Sequence, residues 1–189
     1  LSSPACENVL SLDAINVMVS KSNPVNSLTK LQLADIFAGK INDWAQVGGT
    51  SGPIYLYAPD ENSGTFDTFR SIVLGARSLS VRASRFEDLA KLSDAVASDP
   101  NGIGFAGRSF ARNSKLMAIS EMEGKSALLP TAFTVATGDY PLSRRLYLYI
   151  PAEPQNKWTR KFIEFSRPKL EVCSWWTSGG EADALSALF

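Results

Sequence analysis

Histidine is absent from this chain. That excludes Ser-His-Asp and Cys-His catalysis, both of which need an imidazole to carry the proton. Metal chemistry has little to work from either. The two cysteines, Cys6 and Cys173, stand near opposite ends, and two distant thiols do not make a zinc constellation. No metal and no cofactor is expected. The same cysteines either close one very long disulfide loop in an oxidising compartment or remain two buried thiols. Net charge is missing too, since 19 basic residues balance 19 acidic ones. Without a positive excess there is no general electrostatic case for nucleic acid or an anionic membrane surface, and neither is expected as a partner. No apolar run reaches the roughly 18–20 residues of a membrane span. Leu1-Ser2-Ser3-Pro4 has no basic region ahead of an apolar stretch, so no secretory leader is expected in these residues. Repeats, heptads and low-complexity tracts are lacking as well. What is present is ordinary and globular: 44% hydrophobic and 20% charged residues over 189 positions. Such a chain suits one domain or two small lobes with a real core.

Strand-like and helix-like segments alternate, which predicts an α/β fold. Asp13 to Val19 reads as a buried strand, with Ile15, Val17 and Val19 on one side and Met18 on the other. Asn23-Pro24 ends it. Thr29 and Gln32 have capping-box spacing before Leu33, Ile36 and Phe37, and Gly39 suits the helix exit. Ile54 to Tyr57 reads as a short strand. A helix is predicted from Ser63 with Phe66, Phe69 and Val73 inward, ending near Gly75. Another is predicted over Phe86 to Ala97, stopped by the turn Asp99-Pro100-Asn101-Gly102 before the strand Ile103 to Phe105. Further strands are expected at Ala132 to Ala136 and Leu146 to Ile150. A last clear helix is expected to bury Trp158, Phe162 and Phe165 as core. Ser174 to Gly180 reads as loop and Ala182 to Phe189 as a short amphipathic helix. Trp44 ahead of Gly48-Gly49 reads as a structural residue, and the alternation of Tyr147 and Tyr149 with Leu146 and Leu148 as strand patterning.

One segment carries chemistry. Tyr57 to Phe66 passes from a strand, through the polar turn Asp60-Glu61-Asn62, into a helix start. Ser63 suits an N-cap, its hydroxyl accepting from an orphan first-turn amide. Gly64 lets a ligand approach the backbone without a Cβ in the way, and Thr65 adds a hydroxyl. Donors gathered at the positive end of a helix suit a small anion. The same residues also make a well-capped helix and nothing more, and the segment alone does not choose. No G-x-x-x-x-G-K-[ST] occurs, so a nucleotide P-loop is not expected. Asp60 and Glu61 either face solvent or repel an anion, unless the ligand carries a proton to donate to them. That last case favours a protonated phosphate over sulfate.

Five stretches together resemble one family, the substrate-binding proteins of phosphate ABC transporters (the PstS-like group). They are Asp13-Ala14-Ile15-Asn16-Val17, Leu31 to Trp44, Asn62-Ser63-Gly64-Thr65, Asn101-Gly102-Ile103-Gly104-Phe105 and Tyr140-Pro141-Leu142-Ser143-Arg144. Their order and spacing also fit, over roughly residues 8 to 166. The resemblance implies an α/β binding protein of periplasmic type 2, two lobes joined by a hinge, with a first lobe that is incomplete in this chain. Residues 1–20 and 140–189 are then parts of the first lobe, and 21–139 form the second lobe with the Ser-Gly-Thr anion loop. It implies binding of phosphate or a similar tetrahedral oxyanion for ABC-type uptake or phosphate sensing, outside the cytoplasm, with a permease or sensor as partner and no catalysis. Ser63, Gly64 and Thr65 would donate to the anion, Glu61 or Asp60 would hold the acidic position, and Asn62 would belong to the turn.

Three departures stand against the family pattern. Pro59 replaces an arginine usual before the acidic pair, and Phe66 replaces a second one that many members carry after Ser-Gly-Thr. Losing charge-assisted contacts weakens binding by a few kcal/mol unless another group replaces them. Arg70, one turn on, is a candidate substitute, and Arg144 lines a cleft or else makes an ordinary ion pair. The third departure is the missing first-lobe segment, together with an unfamiliar ending from Lys169. These departures motivate an alternative: an interaction or scaffold protein that kept the fold and lost high-affinity ligand binding.

Overall fold

Strand alternation sets the layers. The computed structural model describes residues 5–111, 113–151 and 156–166. The tail readings at Ser174 to Gly180 and Ala182 to Phe189, and Cys173, lie outside the described residues. Strand β1 (Ala5–Val19) runs antiparallel to β5 (Gly102–Gly107), with Val17 opposite Phe105 and Met18 opposite Gly104. Strand β3 (Tyr55–Pro59) lies parallel to β5 on its other side, and β4 (Ser84–Phe86) lies parallel to β3. Strand β6 (Lys115–Leu116) pairs with the end of β1, and β8 (Ser143–Pro151) also pairs with β1. The sheet order is β4-β3-β5-β1-β6, while β2 (Ser27–Thr29) and β7 (Ala118–Ser120) form a separate parallel pair.

The chain divides into two compact units, Asp13–Arg144 and a smaller one made of Leu1–Leu12 with Arg145–Phe189. Ile15 to Val19 are held in the larger unit by their pairing with β5. The segment before β8 is held there too: the Ile15 amide donates to the Leu142 carbonyl at 3.1 Å and the Tyr140 hydroxyl to the Ile15 carbonyl at 3.1 Å.

In the larger unit, helices cover both faces of the sheet. Helix α1 (Lys30–Phe37) starts on the Thr29–Gln32 capping box and exits through Gly39 at φ 78°. Helix α2 (Gly64–Phe69) continues as a wider π turn, Arg70–Leu74, closed by the Gly75 amide donating to the Arg70 carbonyl at 2.8 Å. On this face Phe69 stacks on Phe105 with centroids 3.7 Å apart, and Phe37 meets both rings edge-on at 4.9 and 5.2 Å. On the opposite face, Leu92 and Val96 of α3 (Leu89–Ser98) pack with Met18 and Ala106, flanked by Tyr57 and Phe86. Helix α3 starts later than the periodicity of Phe86, Leu89 and Leu92 predicts. Asp88 caps it through the amides of Ala90 and Lys91, and that leaves Phe86 to β4.

Gly104 lets α3 lie close on the sheet. A Cβ there would stand 2.7 Å from Val96 Cγ2 and 3.2 Å from Leu92 Cδ2. Gly104→Ala is therefore expected to destabilise by about 1–3 kcal/mol through overpacking. The check is a lower urea midpoint at unchanged slope, and an unchanged midpoint would refute the close approach.

Two expectations are corrected. Ala132–Ala136 is helix α4, not a strand. Thr131 and Thr134 form a reciprocal capping box, which outweighs the alternation of Phe133 and Val135. In the smaller unit, helix α5 (Lys157–Ser166) is present, but Trp158, Phe162 and Phe165 are not core: they are 61%, 57% and 89% exposed. Their spacing makes an apolar face, and periodicity does not supply what covers it. Lys161 Nζ lies 5.0 Å from the Trp158 ring centroid. Tyr147 and Tyr149 are also exposed, as alternation along β8 allows. Trp44 is buried, and its indole N–H donates to the Asn101 carbonyl at 3.0 Å.

Candidate functional site

The turn between β3 and α2 is built by its own polar side chains. The Asp60 amide donates to the Phe86 carbonyl at 2.8 Å, which fixes the turn to β4. Asp60 Oδ1 then accepts from the Asn62 amide and from Asn62 Nδ2, each at 3.0 Å. These bonds place Asp60 and Asn62 within the turn itself. The Asn62 amide, above all, holds the Asp60 carboxyl below its ordinary value; desolvation opposes this, while the Asn62 side chain, the Glu61 amide and the Arg85 charge assist. The Ser63 amide donates to the Asp60 carbonyl at 3.1 Å and closes the turn.

Ser63 is the N-cap of α2, its hydroxyl accepting from the Thr65 amide at 3.2 Å. First-turn amides have no intrahelical acceptor, so those that the cap does not take are the groups such a helix start offers to a ligand. Gly64 is exposed, and among the described residues a Cβ added there meets nothing within 4 Å. No packing need therefore accounts for the glycine. Phe66, at the position where the family resemblance implies an arginine, is buried.

Both arginines singled out in the sequence are ion-paired, as one of the two alternatives for Arg144 had it. Arg70 is exposed and pairs with Asp67 one turn back at 3.0 Å. Arg144 is half-buried at the start of β8. Its guanidinium bonds Asp13 Oδ2 at 3.1 and 3.3 Å, the Gly64 carbonyl at 3.3 Å, and the Thr68 hydroxyl. Thr68 in turn donates to the Gly64 carbonyl at 2.8 Å. Arg144 thus ties β1 and β8 to the first turn of α2, an ion pair that also braces the candidate site.

Sequence reasoning missed Arg85. Strand β4 pairs Arg85 with Ala58 and Phe86 with Pro59. Phe86 packs toward Met18 and Leu92, so alternation turns Arg85 to the other face, the one that carries α2. There Nη1 donates to the Pro59 carbonyl at 2.9 Å, Nη2 to Glu61 Oε1 at 3.0 Å, and the guanidinium carbon lies 4.3 Å from the Phe66 ring centroid. A three-residue strand leaves no periodicity to read, so no sequence signal pointed to it.

A capped helix start with donors, acids restrained beside it and arginines on either flank are the groups by which a small anion can be bound. Among the described residues no cluster of three or more metal-ligating side chains occurs. No helix there is long and apolar enough to cross a membrane. The mixed sheet with helices on both faces is the α/β architecture of periplasmic-type binding proteins. The chain belongs to the PBP superfamily domain family, which matches residues 4–167. It is 34% identical over 168 residues to Protein SphX of Synechococcus elongatus, covering 82% of this chain and 50% of that protein. To the phosphate-binding protein PstS of Staphylococcus saprophyticus it is 32% identical over 162 residues, covering 81% and 50%. Its structure is similar to the crystal structure of an ABC-type phosphate transport receptor from Vibrio cholerae, with a TM-score of 0.75 and 25% identity over 86% of this chain and 66% of that one. The chain spans about half the length of the curated relatives it matches.

Proposed function

We propose that this chain binds phosphate, or a closely similar tetrahedral oxyanion, through the turn Asn62–Thr65, in a protein that delivers the anion to an ABC permease or reports it to a sensor outside the cytoplasm. The observation that carries the reading is the Ser63-capped start of α2, with Gly64 open to approach, in a chain similar to phosphate-binding relatives. The Gly64 amide and the hydroxyls of Ser63 and Thr65 supply the donors, the Thr65 amide holds Ser63 Oγ in place, and Asp60 and Glu61 form the acidic rim. Binding through a helix start needs no chemical step, and the relatives' names describe receptors and binding proteins. Arg70 and Arg144 contribute positive charge from the flanks.

Isothermal titration of the folded full chain with phosphate, sulfate and arsenate tests the reading. Saturable heat with phosphate is expected, and no heat with any of the three overturns it.

Pro59 and Phe66 favour a second reading, in which the fold was kept and the ligand lost. Against it, Gly64 is exposed and no described side chain seals the turn.

A further inference from the structure

Positions 59 and 66, on either side of the turn, carry no side-chain charge. One guanidinium touches both places. Arg85 bonds the Pro59 carbonyl, bonds Glu61 and lies over the Phe66 ring, all from β4 across the sheet edge. Its side chain is 27% exposed while that of Glu61 is 76% exposed, so the cation is the sheltered partner and the acid the solvated one. Arg70 and Arg144, ion-paired with Asp67 and Asp13, add charge from the flanks and, among the described residues, bond none of Pro59, Glu61 or Phe66.

We propose that Arg85 is the positioning cation of the anion turn, supplied by the neighbouring strand in place of an arginine within the turn. The assignment rests on reading the turn as an anion site. Its physical content has two parts. The guanidinium neutralises Glu61, which otherwise sets a negative charge beside an incoming anion. It also places a permanent positive charge under a rim whose own positions 59 and 66 carry none. The Phe66 ring serves as its platform, because a cation over an aromatic face is stabilised while its N–H edge stays free to bond in the ring plane. Proline at 59 suits the arrangement, since the contact Arg85 needs there is a carbonyl, which proline keeps.

The test is phosphate affinity of the full chain by titration, for the wild type, Arg85→Ala, Arg85→Lys and the double variant Arg85→Ala with Glu61→Gln, with circular dichroism to establish folding. Arg85→Ala is expected to bind roughly ten- to a hundredfold more weakly. Arg85→Lys is expected to recover part of the loss, and the double variant most of it, because the bare carboxylate is gone. If Arg85→Ala does not fold, Arg85→Gln carries the same comparison, keeping a donor for the Pro59 carbonyl without the charge. Arg85→Ala binding as tightly as the wild type overturns the assignment. So does a double variant and a lysine variant both as weak as Arg85→Ala, which would make the role merely structural. A wild type that does not bind phosphate overturns the reading of the turn itself, and the assignment with it.

Discussion

Ser63→Ala is expected to lose about 1 kcal/mol of stability and to bind phosphate at least roughly tenfold more weakly. The first number follows from the cap: the hydroxyl accepts from the Thr65 amide at 3.2 Å, and alanine leaves that amide without its partner. The second follows from the proposed use of the same groups. Losing a donor to a charged ligand, and the order of the amides beside it, costs more than losing a neutral bond. Ser63→Thr keeps the hydroxyl and is expected to restore both quantities. Urea denaturation and phosphate titration on the same samples separate the contributions. A variant with lowered stability and unchanged affinity would reduce Ser63 to a helix cap.

The largest expected stability effect lies behind the turn. Phe69→Ala is expected to destabilise by about 3–5 kcal/mol, the usual range for truncating a buried phenylalanine. Phe69 is fully buried, stacked on Phe105 at 3.7 Å and met edge-on by Phe37 at 4.9 Å. Its removal takes both ring contacts at once and leaves a cavity between α1, α2 and β5. A domain has only about 5–15 kcal/mol in total, so partial unfolding at ambient temperature is within reach. Since Phe69 belongs to α2, the same variant is expected to loosen the Ser63–Thr65 turn and weaken binding. Chemical denaturation monitored by circular dichroism checks it. A cost below about 1 kcal/mol would contradict the packing described.

What was legible in the sequence had local causes. Thr29 and Gln32 announced α1 because a capping box is complete within four residues, and Ser63 announced α2 as a single N-cap hydroxyl that accepts from an amide two residues on. Phe66, Phe69 and Val73 were read as buried from helical spacing, although the structure widens the helix into a π turn from Arg70. What was not legible depended on partners distant in the chain. Arg85 acquires its role only because β4 pairs with β3, an encounter between residues 26 positions apart at Pro59 and Arg85. Arg144 reaches Asp13 across 131 positions. Thr131 and Thr134 decided α4 against an alternating pattern that favours a strand, and capping was the stronger signal. The apolar face of α5 was visible, yet its exposure depends on neighbours that periodicity cannot name.

The central claim is that the anion is held by the first turn of α2. Backbone amide spectra recorded during a phosphate titration test it most directly. The account predicts saturable shifts at Gly64, Thr65 and Phe66, with matching changes at the Arg85 side chain and little change at the Trp44 indole, which is bonded to Asn101. Saturable phosphate binding that leaves Gly64, Thr65 and Phe66 unmoved would contradict it.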